Sequence, residues 1–262
     1  SSDLQVADGG GYTTAFLLIN TTNTAETGEL RFTNSDGSPM PTGPAGASAV
    51  RYSIPPNGLF RFETNGAPAA VRVGAAQVIP DAGSTAPAGA EIFGQTVSGK
   101  LVTESGVAGA TPTTRARLYI DQSGGHDSGL ALEALGSSPL TVTLQAFQSD
   151  GVAPVGETAT IKLFAGGQTA SFVRYLIPEL PSGFQGVLDI AAPSPFAALT
   201  LRALTNTRGD FLLTAFPLAD LNRPAPTPLI FPHIADGGGY RTEFVFLGAG
   251  DRKSTRLNSS HV

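Results

Sequence analysis

The six residues Ala-Asp-Gly-Gly-Gly-Tyr occur twice in the chain, at 7–12 and again at 235–240. The positions that follow also agree at the same spacing, because Thr14 matches Thr242 and Phe16 matches Phe244. Self-similarity over such a long interval indicates repeated domains, since the coils of a solenoid recur at much shorter spacing. The sequence therefore predicts an array of related domains.

Half of that interval aligns a second set of positions. Val6 falls on Ile120, Phe16 falls on Leu130, and the turn Asp36-Gly37 falls on Asp150-Gly151. We therefore expect two related units followed by the start of a third that resembles the first. The predicted bounds are 1–107 for unit A, 114–221 for unit B and 229–250 for the truncated third unit. Linkers are predicted at 106–113 and at 222–228, and three prolines stiffen the second linker.

Short strands are the predicted secondary structure. The 32 glycines and 20 prolines interrupt nearly every window long enough for a helix. Between these breakers, apolar and polar residues alternate with the period of a strand. In unit A the predicted strands are 15–20, 28–33, 49–54, 59–63, 70–78, 91–95 and 100–103. In unit B they are 118–121, 129–134, 141–147, 158–164, 170–175, 186–190, 198–205 and 211–216.

This strand density predicts an all-β fold of two tandem antiparallel β-sandwich domains plus the first strands of a third. An immunoglobulin-like or fibronectin-like sandwich describes it best. The buried Cys and Trp residues of antibody domains have no counterpart, because the chain contains neither residue type. A jelly roll or a small barrel is the alternative.

The glycine-rich motif has two functional interpretations and one structural interpretation. Its amides could cradle an anion and Asp8 could ligate calcium. Phosphate-binding loops, however, precede a helix and carry a lysine, and a calcium site needs several oxygen ligands. We therefore predict a tight turn between the first two strands, with Tyr12 packing at the domain junction.

Two histidines outside the C-terminal tail, His126 and His233, are the candidate catalytic bases. Asp121 and Asp127 lie near His126 in sequence, which is the composition of a Ser-His-Asp relay. Neither a nucleophile elbow nor the ligand spacing of a zinc site accompanies them. Both histidines are interpreted as noncatalytic, His126 in a surface loop and His233 in a strand before the glycine motif.

Paired carboxylates are the remaining catalytic possibility, because glycoside hydrolysis uses two of them across a cleft. Glu91, Glu104, Glu133 and Glu157 are the candidates. None has a distinctive sequence context, so all four are predicted to be solvated strand or turn residues. We therefore assign no catalytic, cofactor-binding or metal-binding residue and no cofactor, and we predict that the chain is not an enzyme.

Composition restricts the expected partners. The net charge of −5 argues against nucleic acid, and no segment approaches eighteen uninterrupted apolar residues, so no membrane insertion is expected. With no Trp and only five Tyr, the chain is poor in the aromatic residues of carbohydrate-binding faces. The expected partners are neighbouring repeat domains of the same chain and a cell-surface glycan or protein.

Four sequence segments resemble a tandem immunoglobulin-like β-sandwich repeat module of large exported bacterial proteins. They are FPHIADGGGYRTEF, VSGKLVTESGV, FQGVLDI and LTNTRGDFLL, and the resemblance spans residues 3–250. It implies a noncatalytic structural or adhesive module of a secreted or cell-surface protein, located outside the cell, and it carries over no functional residue. The alternative is a carbohydrate-binding or calcium-binding accessory module of a larger exported enzyme.

The last twelve residues differ in character from the rest. Residues 251–261 read DRKSTRLNSSH, which resembles a translated sequencing adapter. We therefore interpret 251–262 as an adapter-derived tail. A basic tail that binds an anionic partner is the alternative interpretation.

Overall fold

A computed structural model describes residues 3–223 and 227–248 of the chain. The tail at 251–262 and residues 224–226 of the second predicted linker lie outside the described residues. The predicted all-β fold is confirmed, because the regular structure of the described residues is antiparallel strand apart from one short α-helix and a 3-10 turn at Pro44–Gly46.

Eight strands in two sheets make up the first half of the chain. They are β1 (Asp3–Asp8), β2 (Tyr12–Ile19), β3 (Glu26–Asn34), β4 (Ala49–Ile54), β5 (Leu59–Glu63), β6 (Arg72–Pro80), β7 (Ala88–Val97) and β8 (Lys100–Ala108). The first sheet has the order β1-β6-β3-β4, and the second has the order β5-β2-β7-β8. Each sheet thus combines strands that are distant in the sequence of unit A.

The second half contains eight further strands and the helix. They are β9 (Thr113–Asp121), β10 (His126–Ala134), β11 (Leu140–Gln148), β12 (Pro154–Leu163), β13 (Gln168–Phe172), α1 (Val173–Leu176), β14 (Gln185–Thr205), β15 (Phe211–Ala215) and β16 (Ala219–Asp220). Residues 185–191 of β14 pair with β9 and β11, and residues 196–205 pair with β10 and β15. One long strand therefore runs through both layers.

The two halves have the same strand order once β14 is counted as the counterpart of β6 and β7. In unit B one layer reads β9-β14-β11-β12 and the other reads β13-β10-β14-β15. In both halves the first two strands belong to different sheets. This order differs from that of an immunoglobulin domain, where the first two strands are neighbours in one sheet.

Alternating side chains from both layers fill each sandwich. The unit A core includes Val6, Phe16 and Leu30, and the unit B core includes Ile120 and Leu130. Three aromatic rings stack in unit A, where Phe16 lies 5.7 Å from Phe32 and 6.3 Å from Phe62 between ring centroids. Apolar burial of this kind supplies most of the stabilisation of a sandwich.

Two predicted elements of unit B differ from the structure. The segments 186–190 and 198–205 were predicted as separate strands, but they form the single strand β14 because Pro193 and Pro195 adopt the extended conformation that proline tolerates. Residues 173–175 were predicted as strand but belong to helix α1. There Val173 and Ile177, four residues apart, are both fully buried.

The two units contact each other through side chains and backbone. Gln77 Nε2 donates to Glu133 Oε1 at 2.8 Å, and the Leu213 amide donates to Thr103 Oγ1 at 3.1 Å. Strand β8 extends to Ala108, so part of the predicted linker 106–113 is strand. The unit boundaries themselves stay a prediction.

Candidate functional site

The glycine turn, Gly9 to Gly11, joins β1 to β2 and is closely packed against 68–71 and Thr96. Its φ angles are 90°, 58° and 90°, which L side chains rarely adopt. The Gly10 amide donates to the Pro68 carbonyl at 2.8 Å, and a methyl group at Gly11 would lie 2.3 Å from the Thr96 carbonyl oxygen. The Gly9 amide donates back across the turn. These contacts require glycine and leave the Gly9 and Gly10 amides committed to the fold, so they cannot cradle an anion.

Asp8, the candidate calcium ligand, is buried beside this turn and both of its oxygens are engaged. The Gly66 amide donates to Oδ1 at 2.9 Å, and Arg72 Nη2 donates to Oδ2 at 3.2 Å. Calcium takes about six to eight oxygen ligands, usually including several carboxylates. Among the described residues, no group of three or more His, Asp or Glu side chains is placed to hold a metal ion. Asp8 thus ties the turn to the segment that leads into β6.

The second copy of the motif has the same local geometry. Thr14 Oγ1 accepts from the Ala7 amide at 3.0 Å and donates to the Ala7 carbonyl at 2.9 Å. Thr242 makes the same two contacts with Ala235 at 3.0 Å and 2.8 Å. The φ angles at 237–239 are 87°, 59° and 90°. The motif therefore encodes a defined turn even where no sandwich surrounds it among the described residues.

Unit B contains a shortened version of the same turn. Gly124 and Gly125 have φ angles of 55° and 85°. Ser128 Oγ accepts from the Asp121 amide at 3.0 Å, which is the contact that Thr14 makes in unit A. One hydroxyl at the start of the second strand thus closes the turn in each half.

Substituting the two motif aspartates separates a structural role from metal binding. Asp8→Ala is expected to lower the unfolding free energy of unit A by about 2–3 kcal/mol, because the partly buried Gly66 amide and Arg72 lose their buried acceptor. Asp236→Ala, at the exposed position of the second copy, is the matched control and should cost less than about 0.5 kcal/mol. Urea unfolding with and without calcium measures both effects. A calcium-dependent stabilisation of the native chain that Asp8→Ala abolishes would contradict the structural role.

Asp121 is the most heavily hydrogen-bonded carboxylate of unit B. Its Oδ1 accepts from Ser123 Oγ at 2.7 Å and from Gln185 Nε2 at 3.2 Å, and Arg202 Nη2 donates to Oδ2 at 2.6 Å. Burial raises the pKa of Asp121, but the hydrogen bonds from Ser123, Arg202 and Gln185 outweigh it and bring the pKa to about 2. His126 Nδ1 lies 2.9 Å from the Ser123 carbonyl oxygen and 3.7 Å from Asp121 Oδ2. The carboxylate is therefore a hub that fixes the loop after β9.

The arrangement around His126 differs from a catalytic relay. Asp127 faces Arg174 Nε at 3.1 Å and accepts from the Ser128 amide at 2.9 Å, and burial raises its pKa. No serine hydroxyl among the described residues donates to the His126 ring, although a relay needs that bond for its nucleophile. His233 lies exposed in the third-unit segment, residues 229–248. The structure does not bring the two histidines into one site.

The four candidate glutamates fall into two classes, which corrects the prediction that all are solvated. Glu104 and Glu157 are exposed on β8 and β12. Glu91 on β7 is fully buried, and its Oε1 accepts a hydrogen bond from the Gln5 amide on β1 at 3.2 Å. Glu133 on β10 is buried at the contact with unit A. The prediction fails for Glu91 because it lies on the same face of β7 as buried Phe93.

A cleft between the two units is lined mainly by apolar side chains, and no sequence pattern indicates it. Its volume is about 530 Å³. Unit A contributes Tyr12 and Phe93, and unit B contributes Phe172, Tyr175 and Phe211. Tyr175 is 67% exposed, and the Arg174 guanidinium carbon lies 4.9 Å from the centre of its ring. Volume and lining fall within the range of small-molecule sites.

None of the described helices is long and apolar enough to cross a membrane. Searches against protein-family models, curated proteins and solved structures found no match to the chain.

Proposed function

We propose that the chain is a noncatalytic structural or adhesive repeat module of a secreted or cell-surface bacterial protein. The observation that carries the proposal is the glycine motif, whose polar groups serve the fold in unit A. Asp8 and the Gly10 amide are both engaged by neighbouring backbone or side chains. The same turn geometry at 237–239 supports a repeated building element.

Two further features support an array of units with fixed spacing. The halves share one strand order, and their contact includes hydrogen bonds from Gln77 to Glu133 and from Leu213 to Thr103. Units joined by short linkers and direct contacts hold a fixed spacing, which suits a stalk or spacer. Absence of cysteine, the Pro-rich linker and the resemblance to exported repeat modules support an extracellular or cell-surface location.

Mechanical unfolding of the full chain tests this proposal. Pulling from both ends is expected to give two separate unfolding events of similar length, each releasing about 35 nm for roughly 105 residues at ~3.5 Å per residue. Units A and B have separate hydrophobic cores, so each should unfold on its own. One event of twice that length would show a single domain and would contradict a repeat module.

A second candidate function is a carbohydrate-binding accessory module of a larger exported enzyme, and the cleft between the units favours it. Tyr12 and Tyr175 present a ring and a hydroxyl, which is the chemistry that sugar rings stack on and hydrogen-bond to. The calcium-binding version of this candidate has no comparable support, because Asp8 and Asp121 are each paired with an arginine. Retention of the chain on a glycan array, abolished by Tyr175→Ala, would favour this function over the first.

A further inference from the structure

The contact between units A and B joins two outer sheet faces and one turn, and we call it the A–B interface. The side chain of Gln77 on β6 donates to Glu133 near the end of β10. The Gln168 amide at the start of β13 donates to the Ser35 carbonyl at 3.1 Å. Gly37, two residues after Ser35 in the same turn, lies so close to unit B that a methyl group there would be 2.2 Å from the Ala165 carbonyl oxygen.

A second contact joins unit B to the third-unit segment at equivalent positions. Arg117 Nη1 donates to the Gly248 carbonyl at 2.6 Å, and Asp189 holds Arg117 with two hydrogen bonds of 2.6 Å and 3.0 Å. Asp189 pairs with Arg117 in the sheet, just as Gln77 pairs with Asp3 in unit A. Gly248 lies one half-repeat beyond Ala134, the neighbour of Glu133. The same sheet face of each unit therefore meets equivalent residues of the next unit, the end of β10 in unit B and Gly248 in the third-unit segment.

Tyr119 of unit B and Glu243 of the third-unit segment interact electrostatically. Burial raises the pKa of the Tyr119 hydroxyl, and the carboxylates of Asp121 and Glu243 raise it further. One half-repeat earlier, the matching residues Gln5 and Gly129 line the cleft of the A–B interface together. The Arg117–Gly248 hydrogen bond thus places the third-unit segment on unit B as unit B lies on unit A, and the charge of Glu243 near Tyr119 agrees with this placement.

Unit A has an exposed apolar surface at the positions equivalent to those through which unit B contacts unit A. Ile19 and Leu59 are 46% and 57% exposed, whereas their counterparts Glu133 and Gln168 are each 5% exposed in the A–B interface. The loop 55–58 that precedes Leu59 resembles the loop 164–167 that receives Gly37. In each loop the third residue has a φ angle near 60° and the fourth amide donates to the carbonyl of the first residue. We call Ile19, Leu59 and loop 55–58 the docking face of unit A.

Unit B presents a turn with the shape that fits such a face. Gly151 has a φ angle of 69°, close to the 81° of Gly37, and each follows an aspartate in the same Ser-Asp-Gly sequence. A methyl group at Gly37 would collide with unit B, while the space around Gly151 is open. Unit A inserts this turn into the A–B interface, whereas the equivalent turn of unit B has open space at Gly151.

We propose that the docking face of unit A binds a further B-type unit, so that all units stack through one repeating interface. The partner contributes its Arg117–Asp189 pair and its Asp150-Gly151 turn, at positions equivalent to those that unit A contributes to the A–B interface. Apolar Ile19 and Leu59 replace polar Glu133 and Gln168, so unit A contributes a less polar face to this interface than unit B contributes to the A–B interface. The inference rests on the proposed function, and it adds that the array is a continuous rod.

Cysteine labelling in an extended chain tests the stacking. In the extended protein, residues 1–228 are fused to the N-terminus of the 262-residue chain. Unit B of the added copy and its native linker then directly precede unit A of the second copy. The chain has no cysteine, so Ile19→Cys in the complete copy provides a unique thiol. Its reaction with a maleimide is expected to slow by at least about tenfold relative to the unextended Ile19→Cys chain, because docking covers the site. Ser53→Cys, exposed on the opposite sheet, is the control and should react equally in both chains.

A single substitution in the added copy supplies the decisive comparison. Gly151→Asn there keeps the positive φ angle accessible but adds a side chain where Gly37 tolerates none. It should restore rapid labelling of Ile19→Cys while the added unit stays folded by circular dichroism. Equal labelling rates with and without the added copy would overturn the stacking. Two separate mechanical unfolding events would still leave the proposed function standing in that case.

Discussion

Phe16→Ala is expected to lower the unfolding free energy of unit A by about 3–5 kcal/mol, measured by urea unfolding. Phe16 is fully buried and contacts the rings of Phe32 and Phe62 between the two sheets. Removing it leaves a cavity that the surrounding strands cannot fill, because their backbone hydrogen bonds fix the spacing of the sheets. A loss of this size is a large part of the stability of one domain.

Phe244→Ala is the matched control, because Phe244 occupies the same place in the second copy of the motif. Its ring is 39% exposed and contacts only Phe231 and Phe246 in the aromatic pairs of the third-unit segment. The expected cost is less than about 1 kcal/mol. Equal losses for the two substitutions would mean that the motif carries its own core, and the burial argument for Phe16 would then be wrong.

The strands of unit A were predictable because their breakers are unambiguous. Ala49–Ile54 and Leu59–Glu63 have the predicted bounds, since the Pro-Pro-Asn-Gly turn between them can be neither helix nor strand interior. The prediction of separate strands 186–190 and 198–205 is wrong in unit B, because β14 continues through Pro193 and Pro195. Proline disrupts a ladder only where its missing amide is needed, and residues 192–195 have no partner strand in the register.

The cleft and the docking face were beyond sequence reasoning for a different reason. Both depend on how outer sheet faces meet, and residues there alternate with core residues in the same strands. Glu133 looks like a solvated strand residue in sequence, yet Gln77 from another unit buries it. The alternation pattern gives the face of a side chain, and only the packing of units decides whether that face meets water.

The burial of Glu91 should make the stability of unit A depend on pH. Burial raises the pKa of Glu91 well above 4.5, and the hydrogen bond from the Gln5 amide only partly offsets this. The folded state therefore binds the proton more tightly than the unfolded state, and its stabilising effect is complete below about pH 4.5. As pH rises above that value the unfolding free energy falls, by up to about 1.4 kcal/mol per pH unit.

Glu91→Gln is expected to flatten this dependence between pH 5 and 8, because the amide does not titrate in that range. Asp81 and Asp121, each with a pKa of about 2, act in the opposite direction and only as pH falls below about 4, so they do not obscure the window. Exposed Glu104 on the neighbouring strand β8 supplies the control Glu104→Gln, which should leave the slope unchanged. Urea unfolding of the three proteins across this range is the measurement. If the native chain and Glu91→Gln show parallel pH profiles, the Glu91 carboxyl is solvated and β1 is held to β7 by something other than the Gln5–Glu91 hydrogen bond.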